Sequence, residues 1–204
     1  MTNDSREKMV RAAALLLAER GYAATSFQDV IARSGAPRGS IYHHFPGGKE
    51  QLAAEALRWY AGRTRTGIGG APALDAVAGY FTATANWLRK NEFQAGCPVA
   101  GVALDVGQDD PLHAVVAAAF ADWRGVLESA FAAEGCPQAT ARALAALVIA
   151  SAEGALLLAR AERDLRPYQD VADQVLAHLR ATLPATHPHD RDKSSILVLE
   201  DNSG

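Results

Sequence analysis

Cysteine is scarce in this chain: there are two in 204 residues, Cys97 and Cys136, widely separated. That spacing supplies neither a disulfide framework nor a metal-ligand pattern, so no metal and no cofactor is expected. The amino-terminal MTNDSREKMVR lacks an apolar signal region. No stretch approaches about 18 uncharged apolar residues with membrane flanks, so the chain is expected in the cytoplasm with no membrane partner. Strict apolar-polar alternation is nearly absent, which argues against a sheet protein. A nucleophile elbow, a phosphate loop and a paired His-Glu metal motif are all missing. His43-His44 falls in a helical stretch and His187-Pro188-His189-Asp190 in a polar tail, so catalysis is not expected. The chain also lacks a basic surplus, with a net charge of -3.

What is present is an ordinary apolar content of 49% with 21% charged residues, ample for a core. The charge is unevenly distributed. Residues 1–66 carry ten Lys/Arg against six Asp/Glu, and the remainder carries ten against seventeen. A basic amino-terminal module suits a polyanion, and an acidic remainder keeps the rest of the protein off it.

Apolar residues recur at intervals of three and four almost throughout, which predicts an all-α fold. The first helix is expected over residues 5–20 and the second over 27–34. A Thr25-to-Gln28 capping box starts the second helix and Gly35 turns the chain after it. Pro37 is expected in the first turn of a third helix, whose Ile41 and Phe45 face the same small core as Leu17 and Phe27. A connecting helix follows over 49–63, then a Gly-rich flexible joint over 64–72. Further helices are expected over 73–91, 98–106, 111–134, 138–163 and 167–183. The repeated Gly-Cys-Pro triplets at Gly96 and Gly135 would each close one helix and open the next. The expected organisation is a helix-turn-helix unit over 1–48, a second helical domain over 49–184 with 49–63 as connector, and a disordered tail over 185–204.

Two helices joined by a short turn set the second in the DNA major groove while flanking groups clamp the phosphates. The third helix carries suitable side chains. Arg38 can offer two hydrogen bonds to a guanine edge, Gly39 allows close backbone approach, and Ser40 can bond bases or phosphate. Tyr42, His43, His44 and Lys49 supply donors where phosphates would run. The competing view is that Tyr42 and His44 only cover the small core and that the charges form a solvated face.

The segment ATSFQDVIARSGAPRGSIYHHFPGGKEQL resembles the DNA-binding segment of the tetracycline-repressor (TetR) family. The shared features are Thr before the second helix, Gly in the turn, Gly-x-x-Tyr-x-His-Phe, and Lys-Glu at the start of the fourth helix. The resemblance implies an all-helical homodimer whose three amino-terminal helices bind double-stranded DNA, with a carboxy-terminal domain that takes a small-molecule inducer. On matching positions it places Arg38, Gly39 and Ser40 on bases, and Thr25, Tyr42, His43, His44 and Lys49 on phosphates. The Phe45-to-Lys49 spacing has one residue more than the family pattern, which weakens the Lys49 assignment. AGCPVAGVALDV and the run Glu153 to Arg160 are similar to the branch that includes lincomycin-resistance regulators. That similarity implies control of an efflux or drug-resistance operon by a planar or amphipathic inducer.

The acidic portion offers helices for two tasks. Leu144 to Ala159 is apolar nearly all round except at Glu153, so the helix needs cover on both sides. Leu144, Val148 and Ala152, with Val171, Val175 and Leu179 on the last helix, are expected at a four-helix interface across a two-fold axis; a monomer that covers both faces internally is the alternative. Phe81, Trp87, Phe120 and Trp123 are candidates for an apolar ligand pocket, or for core. Glu153 needs a partner: Arg160, another arginine, or a polar or cationic group of a ligand. The resulting expectation is a ligand-responsive repressor with two recognition helices about 34 to 36 Å apart on a palindromic operator. An activator of the same fold and a helical protein-interaction module are the alternatives.

Overall fold

The computed structural model describes residues 2–184 and contains α-helices and no strand among them. The expected disorder of 185–204, and the histidines in that segment, lie outside the described residues. In chain order the helices are α1 (Thr2–Arg20), α2 (Phe27–Ser34), α3 (Ser40–His44), α4 (Gly48–Ile68), α5 (Ala73–Lys90), α6 (Pro98–Asp105), α7 (Pro111–Ala133), α8 (Gln138–Glu162) and α9 (Arg166–Thr182).

The amino-terminal core forms where α1 sends in Met9, Ala13, Leu16 and Leu17 to meet Val30, Ile41, Phe45 and Leu52, all buried. It is continuous with the core of the remaining helices through the α4 residues Ala56, Leu57, Ala61 and Ile68. Helix α4 packs on α1 at one end and along α7. Trp123 on α7 is fully buried and donates its indole N–H to the Ala61 carbonyl at 3.0 Å, fastening α7 to α4.

Local capping differs from expectation at α2. Ser26, not Thr25, is the N-cap: its Oγ accepts from Asp29 N at 3.3 Å, and Asp29 Oδ2 accepts from Ser26 N at 2.9 Å. The Ser26 hydroxyl bond holds the Asp29 carboxyl below its ordinary range, with the Ser26 backbone N–H and Arg20 assisting. Thr25 is buried instead, and its hydroxyl donates to the Gly21 carbonyl at 2.7 Å. Ser26→Ala is expected to lower stability by about 0.5 to 2 kcal/mol. Replacing the exposed Gln28 by Ala should leave the urea midpoint unchanged; equal midpoints for both variants would contradict the cap.

Helix α3 is shorter than expected. Pro37, Arg38 and Gly39 form a turn closed by Ser40 N donating to Pro37 O at 3.0 Å, so the helix proper starts at Ser40. Gly35 supports that turn with a φ of 67°, a backbone conformation that a β-carbon disfavours. Helix α4 runs through Gly62 and Gly67 to Ile68, reducing the anticipated joint to residues 69–72. Burial of Ile68 and the Arg65–Asp122 pair to α7 stabilise that last turn.

By length and composition α8 is apolar enough to cross a membrane, but it packs between α7 and α9. Its Leu144, Val148 and Ala152 face inward, as do Val175 and Leu179 on α9, while Val171 is half-buried. Within one protomer these residues are therefore covered, Val171 in part. The large apolar residues that α8 leaves in solvent are Leu147, Leu157 and Leu158. A helix apolar on all sides does not reveal from its sequence which side faces the protomer's own core.

Candidate DNA interface and regulatory cavity

The surface around α3 is built from a turn and a single helical turn and a half, held from beneath by Ile41 and Phe45, both buried. Ile41 and Phe45 point inward, so the intervening Tyr42 and His43 are left exposed. Tyr42 is 68% exposed, and its ring stands edge-on to Phe27 at 5.6 Å, which fixes the ring while leaving its hydroxyl outside. Arg38 and Gly39 are exposed and Ser40 is half-buried. The Ser40 hydroxyl donates to Pro37 O at 2.7 Å, so it meets a ligand as an acceptor unless it rotates. His44 is half-buried, edge-on to Phe45 and His43.

Charge pairing occupies the cations of α1 and α2 but not Arg38. Arg6 pairs with Glu55, Lys8 with Asp4, Arg11 with Glu7, Arg20 with Asp29 and Arg33 with Glu19. Among the described residues Arg38 has no acidic partner, so its guanidinium is available to a polyanion. Lys49 takes a different position. Its ammonium lies 4.3 Å from the centre of the Tyr22 ring and donates to Ala23 O at 3.4 Å. Partial burial lowers its pKa, opposed by Asp105. Thr25 has its only hydroxyl proton engaged with Gly21 O, which leaves none for a phosphate.

The end of α1 is tied to the second half of the chain through main-chain atoms. Asp105 at the end of α6 accepts from Tyr22 N at 2.6 Å and Ala23 N at 3.1 Å. Arg160 of α8 donates to Glu19 O at 3.1 Å and Gln94 O at 2.7 Å, and Gly96 N donates to Ala18 O at 2.8 Å. Gly96 does not close a helix, as its triplet suggested; α5 ends at Lys90. A β-carbon at Gly96 would lie 2.8 Å from the Arg160 guanidinium, so a larger residue there would have to displace Arg160 from these carbonyls. Gly135 does follow a helix end, with φ of 86° just past α7. Arg160 is thereby engaged elsewhere and is not the partner expected for Glu153.

A cavity of about 380 Å³ opens between α1, α4 and α5, bordered by Trp59, Tyr60, Tyr80, Thr84 and Trp87. Its volume is within the range of small-molecule sites. Of the four aromatics expected to line a pocket, Trp87 does so. Phe81 is buried against Tyr168 at 5.5 Å, and Phe120 stands edge-on to the buried Trp123 at 5.4 Å; those three belong to the packing. Sequence reasoning missed Trp59, Tyr60 and Tyr80; their spacing on α4 and α5 was legible only as amphipathic pattern. Arg11 and Arg63 lie over the Trp59 ring at 5.9 and 5.3 Å, on the rim. Glu153 lies near the Tyr60 and Tyr80 phenols, whose pKa values are raised chiefly by burial and further by its charge.

A helix-turn-helix with its outer side chains exposed, set on a helical body with an aromatic cavity, defines a DNA-binding regulator. Comparison with known proteins agrees. Residues 9–56 match bacterial regulatory proteins of the tetR family, and residues 73–174 match the LmrA/YxaF-like transcriptional regulator carboxy-terminal domain. An uncharacterized HTH-type transcriptional regulator of Mycobacterium tuberculosis is 42% identical over 190 residues, covering 88% of this chain and 96% of the relative. The HTH-type transcriptional regulator LmrA of Bacillus subtilis is 32% identical over 189 residues, covering 89% and 95%. A TetR transcriptional regulator from Chloroflexus aurantiacus superposes with a TM-score of 0.74 at 27% identity, covering 89% of this chain and 97% of that one. The chain belongs to the TetR family of HTH-type transcriptional regulators, with an LmrA/YxaF-like carboxy-terminal domain.

Proposed function

We propose that the chain is a homodimeric repressor that holds a palindromic operator until a small molecule enters the cavity between α1, α4 and α5. The observation that carries this reading is α4 itself. It supplies Trp59 and Tyr60 to the cavity and Leu52 and Ala56 to the core beneath the helix-turn-helix, so one rigid element meets both. A ligand wedged beside Tyr60 displaces α4 relative to α1, and the main-chain ties to α6 and α8 convert that displacement into a rotation of the recognition surface. A coupling of about 1 to 3 kcal/mol would weaken operator binding about 5- to 150-fold. Arg38, Gly39 and Ser40 meet base edges; Tyr42, His43 and His44 meet phosphates, with Lys49 and Thr25 acting behind them as supports. Control of efflux or drug-resistance genes, from the cytoplasm, is part of this proposal and rests on likeness to the LmrA/YxaF-like branch.

The two-fold contact in this reading uses the exposed stripe Leu147, Leu157 and Leu158 on α8, with Gly154 between them allowing close approach. Leu157→Asp is expected to yield a monomer of intact helicity by light scattering and to lose tight operator binding, since one half-site alone holds the protein. A dimer that persists unchanged in this variant would move the interface elsewhere.

The test of the whole reading is fluorescence anisotropy on DNA from the chain's own upstream region at several salt concentrations. Tight binding that falls steeply with salt supports it, because neutralised phosphates release counterions. Salt-indifferent binding, or none to any fragment in a genome-wide pull-down, would overturn it.

A further inference from the structure

The wall of the cavity between α1, α4 and α5 is one-sided in charge. Of the residues that border it, Arg11 and Arg63 are cationic and none is acidic. Arg11 comes from α1 and Arg63 from α4, and their guanidinium groups converge on one ring, 5.9 and 5.3 Å from the centre of Trp59. Glu7 holds Arg11, with both side chains about half exposed, whereas Arg63 has no acidic partner among the described residues. The other polar side chains on the wall, Tyr60, Thr64, Tyr80 and Thr84, are neutral hydroxyls. The remaining surface is apolar, with Trp59 and Trp87 offering flat faces.

Two guanidinium groups drawn to one indole repel each other, and a ring face satisfies few of the five N–H donors that each carries. An anion placed against them relieves the repulsion and accepts those donors. A carboxylate suits the planar fork best, because it takes two parallel hydrogen bonds from one guanidinium. A phosphate would bring more negative charge than one unpaired arginine offsets. A cation would meet a field of its own sign, and a neutral molecule would gain only the burial. We infer that the cavity selects flat, largely apolar molecules bearing one carboxylate, which sits on Arg63 and draws Arg11 toward it while the ring body fills the space toward Tyr80 and Trp87. This inference rests on the proposed ligand-responsive role and names the ligand class for it.

Glu7 then competes with the ligand for Arg11. The competition matters because Arg11 belongs to the first helix of the reading head and Arg63 to the connector, so the carboxylate bridges the two elements that meet at the cavity. Removing the competitor has a defined sign. Glu7→Gln frees Arg11 and is expected to tighten carboxylate binding by about two- to fivefold, the range that an exposed ion pair is worth.

The test uses a matched pair of probes, 2-naphthylacetate and its neutral isostere 2-naphthylacetamide, titrated calorimetrically into the full chain at pH 7. The expected result is about tenfold tighter binding of the acetate, the yield of a charge-assisted pair. Arg63→Gln, a change at an exposed position, should abolish the preference while retaining amide binding and operator binding, and Arg63→Lys should restore part of it. Equal or tighter binding of the amide to the wild-type chain, binding of neither probe, or a preference that survives in Arg63→Gln would overturn the inference. Failure of Glu7→Gln to tighten acetate binding would remove Arg11 from it. An Arg63-dependent preference with operator affinity unchanged by the acetate would uphold the site and overturn the induction reading beneath it. Operator release by both probes alike, without a preference, would do the reverse.

Discussion

Arg38→Ala is expected to weaken operator binding by about 1 to 3 kcal/mol at each half-site, the ordinary value of a bidentate base contact. Across a palindrome occupied by two copies the losses add to about 2 to 6 kcal/mol, or roughly 30-fold at the lower end. The expectation follows from the exposed turn that carries Arg38 and from the absence of an acidic partner among the described residues, whereas five other cations of α1 and α2 are paired. Anisotropy on the operator and on single base-pair variants distinguishes the two modes of contact. Loss of discrimination at one position per half-site identifies base reading. Weakening that is uniform across sequences, with a smaller salt slope, would reassign Arg38 to phosphate. Wild-type affinity would remove it from the interface.

Trp123→Ala is expected to cost about 3 to 5 kcal/mol of folding stability, the range for emptying a large aromatic site in a core. The indole is fully buried, contacts Phe120 and Tyr60 edge-on, and donates to the Ala61 carbonyl, so its removal opens a void where α4 lies along α7. The urea midpoint should fall sharply, and Trp123→Phe should recover the packing but not the hydrogen bond. A small change in midpoint accompanied by loss of ligand response would return Trp123 to the pocket, where the sequence alone had left it as a candidate.

Helix boundaries were legible because short-range chemistry sets them. Pro98, Pro111 and Pro137 stand at or beside helix starts, and Gly35 and Gly135 follow helix ends, so α5 to α9 lie within a residue or so of their expected spans. The same local rules fail where a tertiary contact decides between two equivalent options. Thr25 with Gln28 and Ser26 with Asp29 both satisfy a capping pattern; burial of Thr25 beneath α1 settles the choice. Gly67 reads as part of a flexible joint, but Arg65 and Ile68 hold α4 helical past it. The pairing of Glu153 with Arg160 failed because seven residues is two helical turns, about 10 Å of rise, and Arg160 instead reaches the carbonyls of Glu19 at the end of α1 and Gln94 after α5. The exposed residues around α3 were readable because Ile41 and Phe45 fix which side is in, whereas the cavity walls on α4 and α5 required the packing of three helices.

The ties at the end of α1 join peptide groups, not side chains, of the DNA-reading segment: the carbonyls of Ala18 and Glu19 and the N–H groups of Tyr22 and Ala23. Such contacts ignore the identity of the residues that provide them. The recognition turn can therefore diversify without renegotiating these four attachments. What limits exchange of the reading head is α1 itself, whose Arg11, Ala14 and Leu15 also border the cavity.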